Sequence, residues 1–228
     1  MEEIHTTSVS RPSNAILIVG IVIALVFPFL NVLLNGFTLT FNSRMILSRF
    51  VFWAEIAFLW LYAIKVEKQK LLIWTEKRSG LKFILASIVL IYALSFAAGI
   101  VAAVPSWLGW HESNQFIKRL FAFMKDKPFT VFFICITAGF TEEFIFRGYI
   151  LTRLSVLITN KYLPIIISSL LFSAVHFSFH SLREFIFAFL VGVIMSFHYQ
   201  KYGNIKPLIA AHILIDVLGF FVGAHFVK

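Results

Sequence analysis

The chain has 228 residues, of which 60% are hydrophobic and only 14% are charged. A soluble domain averages about 45–50% apolar and about 25% charged residues, so a soluble domain and a disordered chain are both excluded. Cys135 is the only cysteine, which excludes a secreted module held together by disulfides. The mean hydropathy of +0.89 instead indicates a polytopic membrane protein.

The net charge of +9 also fits a membrane protein. In so apolar a chain, basic loops are expected to face the anionic cytoplasmic leaflet of the bilayer, and no nucleic-acid partner is expected. The first apolar run begins near Asn14 and is too long for the hydrophobic part of a signal peptide. We therefore expect it to remain in the protein as a membrane span.

The hydropathy pattern predicts an all-α bundle of about seven transmembrane helices. The apolar runs are continuous and lack the alternation of a β-barrel strand. Only His180 and Ser181 separate the fifth and sixth spans, which predicts a tight helical hairpin. We expect one transmembrane domain over residues 1–228, with the motif-bearing core at about 129–227. The predicted spans are 14–35, 45–64, 81–104, 129–152, 163–179, 182–199 and 207–227.

Two polar stretches lie between the spans. Residues 65–82 form a strongly basic loop, and in 111–127 the apolar positions 117, 120, 121 and 124 recur at helical spacing. The second stretch predicts an amphipathic helix on the membrane surface. With the basic loop inside, eleven Lys and Arg residues face the cytoplasm and eight face outward, which orients the chain by the positive-inside rule.

Ionisable side chains inside the predicted spans are the candidate functional residues. Each costs about 2.5–3.5 kcal/mol on insertion scales, so several of them are expected to share an interior cavity rather than face lipid. Glu143 and Arg147 are four residues apart and can pair on one helix face, as can His212 and Asp216. The set comprises Glu142, Glu143 and Arg147 in the fourth span, His176 in the fifth, and His212 and Asp216 in the seventh.

These residue types suit direct activation of water. A buried carboxylate such as Glu142 is a good general base, and histidines can ligate a metal or hold an oxyanion. Whether the site binds a metal ion therefore stays open. The candidate ion is Zn²⁺, and its candidate ligands are His176, His212 and Glu142. Glu55 is alone in the second span and is interpreted as a helix–helix hydrogen bond.

Three other features are interpreted as structural. His180 lies at the predicted end of its span, where an interfacial histidine is favoured over a metal partner for His176. His198 lies near the inner end of the sixth span. Ala188, Gly192 and Ser196 recur every four residues, which is typical of close helix packing.

The motifs around these residues resemble those of the CPBP family. That family comprises CAAX prenyl endopeptidases and bacteriocin-processing or immunity-linked membrane proteins, also called Abi. The segment from Glu142-Glu143 to Arg147 is similar to its EExxxR motif, Phe172 to His176 to its FxxxH motif, and His212 to Asp216 to its final HxxxN/D motif. The ordered set covers about residues 138–216.

The resemblance implies an intramembrane endopeptidase. In that family the first glutamate of the pair is thought to activate water with assistance from histidines, which corresponds here to Glu142, His176 and His212. The last motif position is often Asn, taken as an oxyanion donor, whereas this chain has Asp216. An ionised Asp216 cannot donate a hydrogen bond. It can instead orient His212, bind a metal through it, or carry a proton.

Two rival functions remain at this stage. The same buried carboxylates would serve an ion-coupled transporter, although no inverted repeat is visible. In a non-catalytic bacteriocin-immunity or scaffold protein, the same residues would have only a structural role. For the endopeptidase, the expected substrate is a membrane-associated peptide or protein. Short loops and small size suggest a prokaryotic cell membrane, and the charge bias places the site at its cytoplasmic face.

Overall fold

The computed structural model describes residues 12–110, 112, 118, 120–122, 125–176 and 181–226. Every regular element within these residues is helical. In this part of the chain, six helices are long and apolar enough to cross a membrane, and a seventh apolar helix is shorter, at 13 residues. The protein is an integral, multi-pass membrane protein, and the predicted all-α transmembrane bundle is confirmed in the described part of the chain. Six of the seven predicted spans correspond to helices long enough to cross, and the fifth corresponds to the shorter helix.

The first half of the chain supplies three long helices. Helix α1 (Asn14–Val26) continues as a 3₁₀ helix over Phe27–Gly36. Helix α2 (Phe41–Tyr62) ends in a short π-helical turn at Ala63–Glu67, and helix α3 spans Leu81–Trp107.

The second half of the chain contains the longest continuous span. Helix α4 runs directly into a π-helical segment and then into helix α5, so that Pro128–Leu157 forms one span of 30 residues. The predicted end at residue 152 is therefore five residues too early. The elements of this half are α4 (Pro128–Glu142), the π-helical segment (Glu143–Leu151), α5 (Thr152–Leu157), α6 (Leu163–Val175), α7 (Leu182–Tyr202) and α8 (Lys206–Phe226).

Local sequence signals set both ends of α7. The side chain of Ser181 accepts a hydrogen bond from the backbone N–H of Glu184, three residues on, as an N-terminal cap does. At the other end Gly203 adopts a left-handed conformation with φ of 63°. A Cβ atom there would lie only 2.1 Å from the carbonyl oxygen of Thr75. Glycine thus permits the sharp turn that leads from α7 into α8.

Small residues bring the helices of the second half into close contact. In the α6–α7 hairpin, a Cβ atom on Gly192 would lie 3.0 Å from the Cβ atom of Ser169. Ala188 and Ser196, one turn to either side of Gly192, are buried. The interpretation of this stripe as a packing surface is confirmed, because lack of bulk lets the two backbones approach.

Gly139 has the same effect between α4 and α8. A Cβ atom on Gly139 would lie 2.7 Å from the Cγ1 atom of Ile213 and 3.1 Å from its backbone nitrogen. Gly139 lies one turn before Glu143, and Ile213 follows His212 directly. The close approach of these two helices therefore places Glu143 beside His212.

The eleven Lys and Arg residues predicted to face the cytoplasm include Arg153 as a loop residue, and this assignment is wrong. Its side chain is fully buried in α5, where its guanidinium contacts the buried carboxylate of Glu67 with an Nη2–Oε2 distance of 2.6 Å. The hydroxyl of Tyr149 donates to the other oxygen of Glu67 at 2.6 Å. This buried pair ties the end of the second span to the fourth, and it removes Arg153 from the charge bias that orients the chain.

The predicted amphipathic helix at 111–127 lies mostly outside the described residues. Of the positions that carry its apolar face, the structure describes 120 and 121. Leu120 is buried, and the ring of Phe121 meets that of Phe220 of α8 edge-on at 5.6 Å between centroids. This part of the stretch packs against the bundle.

The α4–α8 contact can be tested with two glycine substitutions of opposite expected effect. Gly139→Ala forces the helices apart, so we expect a loss of about 1–3 kcal/mol in unfolding free energy, the scale of overpacking. Gly219→Ala, in α8, is the matched control because nothing lies within 4 Å of its added Cβ. There the higher helix propensity of alanine should stabilise the protein slightly. Thermal unfolding in detergent measures both, and equal stability of the two variants would contradict the packing role of Gly139.

Candidate active site

The glutamate pair lies at a change of helix type. Glu142 is the last residue of α4 and Glu143 the first of the π-helical segment, which also contains Arg147. Segments of π-helix occur often at functional sites. Here α6 supports the segment, because the Ser168 hydroxyl donates a hydrogen bond of 2.9 Å to the Phe146 carbonyl oxygen.

Glu143 is the centre of the polar cluster. Its side chain is fully buried, and its Oε1 atom accepts a hydrogen bond of 2.9 Å from Nη1 of Arg147. The same oxygen lies 2.8 Å from Nδ1 of His212 on α8. The predicted pairing of Glu143 with Arg147 forms, and the carboxylate also reaches a third residue on another helix.

The orientation of His212 follows from this contact. An ionised carboxylate only accepts hydrogen bonds, so Nδ1 of His212 is the donor to Glu143. The other ring nitrogen, Nε2, then faces two further carboxylates, at 3.8 Å from Oε2 of Glu142 and 3.7 Å from Oδ2 of Asp216. Both distances are too long for a direct hydrogen bond and suit a bridging water molecule.

Exposure differs sharply within the cluster. The side chains of Glu143 and Arg147 are 0% and 1% exposed, whereas those of Glu142 and Asp216 are 17% and 28% exposed. Glu142 and Asp216 are thus the acidic groups that water or a substrate can reach. Glu143 and Arg147 form the buried support behind them.

Phe172 connects His176 to the cluster. The guanidinium carbon of Arg147 lies 4.2 Å from the centre of the Phe172 ring, and this ring meets that of His212 edge-on at 6.1 Å. The centre of the His176 ring is 4.8 Å from that of Phe172, and Nδ1 of His176 lies 3.0 Å from the Phe172 carbonyl oxygen. A carbonyl only accepts, so Nδ1 carries the proton. The six predicted residues are therefore grouped around one aromatic ring and one carboxylate.

No three or more His, Cys, Asp or Glu side chains among the described residues are arranged as a preformed metal centre. The Nδ1 atom of His212 is bonded to Glu143, so Nε2 is the ring atom that could ligate an ion. The Zn²⁺ site at His176, His212 and Glu142 stays a prediction that metal analysis of the purified protein decides. His180 lies outside the described residues.

Glu55 differs from its sequence interpretation. Its side chain is fully buried in α2, but neither carboxylate oxygen has a hydrogen-bond partner among the described residues. The ring of Trp53, two residues earlier, stacks on Phe140 at 5.1 Å between centroids, and Phe140 lies two residues before Glu142. Glu55 is therefore close to the level of Glu142 in the adjacent helix. The predicted helix–helix hydrogen bond is absent from this part of the structure.

The buried group of Glu67, Tyr149 and Arg153 was missed in the sequence. Arg153 has further partners, since its Nη2 atom donates to the carbonyl oxygen of Lys70 at 3.0 Å. The spacing of Tyr149 and Arg153 could have indicated this group, because residues four apart lie on the same face of a helix. The placement of Glu67 and Arg153 near the predicted ends of spans concealed their burial.

Comparison with known proteins gives a family match over the region that contains the candidate site. Residues 125–218 match the family of type II CAAX prenyl endopeptidases, described as Rce1-like. This segment contains every predicted site residue, and the match agrees with the resemblance of the motifs to the CPBP, or CAAX protease, family.

One curated relative is an uncharacterized 24.3 kDa protein of Escherichia coli. It is 29% identical over 147 residues, which are 63% of this chain and 64% of the relative. The match thus spans less than two thirds of the relative's length. No solved structure matches the chain.

The support provided by Arg147 leads to a stability prediction. Arg147→Ala leaves Glu143 buried without its cation, and breaking a buried pair in this way costs about 3–5 kcal/mol. We expect a lower melting temperature and lower expression together with reduced activity. Arg183→Ala is the matched control, because Arg183 is exposed on α7. If Arg147→Ala melts like the wild type and loses only activity, Arg147 instead contacts the substrate.

Proposed function

We propose that the protein is a glutamate-dependent membrane endopeptidase that cleaves a membrane-associated peptide or protein. One observation carries the proposal: two partly exposed carboxylates, Glu142 and Asp216, face Nε2 of His212 across gaps of 3.8 and 3.7 Å. This space suits one water molecule held by three polar groups. The family match supports peptide hydrolysis as the reaction.

In the proposed reaction Glu142 acts as the general base. Its carboxylate takes a proton from the water as the water oxygen attacks the carbonyl carbon of the scissile peptide bond. The carbon–oxygen π bond becomes an oxyanion on a tetrahedral intermediate. Glu142 then passes the proton to the leaving nitrogen as the carbon–nitrogen bond breaks. The products are a free carboxyl group and a free amine.

His212 acts as a positioning group for this water. Its ring is held on the Nδ1 side by Glu143, whose charge is balanced by Arg147. Such a chain of partners fixes the direction of Nε2 before substrate binds, which is the condition for efficient catalysis. Asp216, where the family motif often has Asn, is placed to accept a hydrogen bond from the water.

We further propose a prokaryotic cell membrane and a cytoplasm-facing site. The match to an Escherichia coli protein agrees with the first. For the second, the seventh span begins at Lys206, and His212 lies six residues on, about 9 Å along the helix. The short basic segments at that end would attract the headgroups around a substrate held at the inner leaflet.

The role of Glu142 is tested by Glu142→Gln, which keeps the side-chain volume and removes its basicity. We expect turnover to fall by about two or more orders of magnitude with the fold retained. The assay compares new peptide N-termini, by mass spectrometry, after reconstituted enzyme is incubated with membrane-associated proteins. Glu76→Gln, an exposed glutamate outside the cavity, is the matched control. Cleavage by Glu142→Gln at the rate of the control would exclude Glu142 as the base and favour a non-catalytic or transport role for the cavity.

The orientation is tested by cysteine labelling of intact cells. Ser79 and Thr159 are exposed near the end proposed to be cytoplasmic, and Thr38 is exposed at the opposite end.

In a Cys135→Ala background, single cysteines at Ser79 and Thr159 should be protected from a membrane-impermeant thiol reagent until the cells are permeabilised. A cysteine at Thr38 should be labelled in intact cells and is the control for reagent access. The reverse pattern would place the site at the outer face.

A further inference from the structure

A groove lies between α3 and α7 at the membrane-facing surface, on helices that do not carry the proposed catalytic residues. Its volume is about 300 Å³. The inner part is apolar, and the end near the helix termini carries polar side chains. The lining residues are Leu90, Ile91 and Leu94 of α3 and Ile194, Phe197, His198, Gln200, Lys201 and Tyr202 of α7.

The groove has the shape of a site for a hydrocarbon chain. From Tyr202 at one end to Ile194 it extends over eight residues of helix, about 12 Å at 1.5 Å per residue. Leu90, Leu94 and Phe197 are all substantially exposed, so their side chains present apolar surface to the outside of the bundle. An acyl chain lying along α3 and α7 would cover this surface.

Two cations flank the mouth of the groove. The Nζ atom of Lys201 lies 5.1 Å and the guanidinium carbon of Arg78 lies 6.0 Å from the centre of the same Tyr202 ring. None of the ion pairs formed by the described residues includes either cation, and the nearby Glu76 is paired with Lys206 at 2.8 Å. Two cations held at one ring without an acidic partner are complementary to a phosphate group.

His198 supplies an independent observation inside the groove. It is only 7% exposed, and neither ring nitrogen has a hydrogen-bond partner among the described residues. The ring is held between Phe83, at 5.9 Å, and Tyr202, at 4.8 Å between centroids. Buried polar groups are normally hydrogen-bonded, so a ring nitrogen that lines a groove without a partner indicates a ligand with a polar atom at that depth.

We propose that this groove binds an anionic phospholipid, with the headgroup phosphate at Arg78 and Lys201 and one acyl chain along α3 and α7. An ester group, which follows the phosphate in such a lipid, reaches the level of His198. Basic pockets between transmembrane helices are a known form of headgroup recognition. This site is separate from the cavity at Glu142 and does not depend on the proposed protease activity.

The test measures lipid retention by the full-length protein. The protein is reconstituted in vesicles of equal parts phosphatidylglycerol and phosphatidylcholine, extracted in mild detergent, and analysed by native mass spectrometry. We expect phosphatidylglycerol to be retained in preference. Each cation near an anionic lipid contributes about fivefold in affinity, so Arg78→Gln with Lys201→Gln should weaken retention about 30-fold.

Three further variants separate the headgroup contact from general effects. Lys65→Gln with Lys68→Gln removes two exposed charges at the end of the second span and should retain the lipid. Arg78→Lys with Lys201→Arg keeps both charges and should also retain it, which distinguishes loss of binding from misfolding. Leu94→Trp fills the groove and should reduce retention while both cations remain.

Several results would overturn the proposal. Equal retention by the wild type and the Arg78→Gln, Lys201→Gln variant would remove the headgroup site. An equal loss of lipid retention in the Lys65→Gln, Lys68→Gln control would show that retention depends only on the overall surface charge. Unchanged retention by Leu94→Trp would exclude the acyl chain from the groove. Competition of inorganic phosphate for the site at the lipid's own concentration would show an anion site without lipid specificity.

Discussion

The buried carboxylate of Glu143 is the contact on which the site depends. One of its oxygens joins Arg147, four residues along the same span, to His212 on α8. A charge removed from water in this way is stable only when its partners are held close, so the carboxylate fixes both the distance between two helices and the direction of a histidine ring. Gly139 makes that distance attainable, because any larger side chain would collide with Ile213.

The two members of the glutamate pair have different environments although they are adjacent in the chain. Glu143 is wholly enclosed, while Glu142 is partly exposed and lies 3.8 Å from the free side of the His212 ring. Glu143 is thereby placed to hold the fourth span and α8 together, and Glu142 is placed to contact water or substrate. The division follows from helix geometry, since successive residues of a helix face directions about 100° apart.

Polar groups buried elsewhere in the bundle fall into two kinds, those that bond to one another and those without a hydrogen-bond partner. Glu67, Tyr149 and Arg153 satisfy one another and join the second span to the fourth. Glu55 and His198 have no hydrogen-bond partners among the described residues, and they lie close to the proposed reaction space and in the α3–α7 groove, respectively. Buried groups with complete partners stabilise the fold, whereas those without them indicate where water or a ligand enters.

The sequence alone determined that the protein is an all-α membrane bundle and which ionisable residues lie within its spans, because continuous apolar runs have few physical solutions in a bilayer. It also predicted the pairing of Glu143 with Arg147, which depends only on helical spacing. Only the tertiary structure decided that His212 binds Glu143 rather than Glu142, that Arg153 is buried rather than in a loop, and that Glu55 has no helix partner. These outcomes depend on the packing of helices far apart in the chain, which local patterns of hydropathy and spacing do not encode.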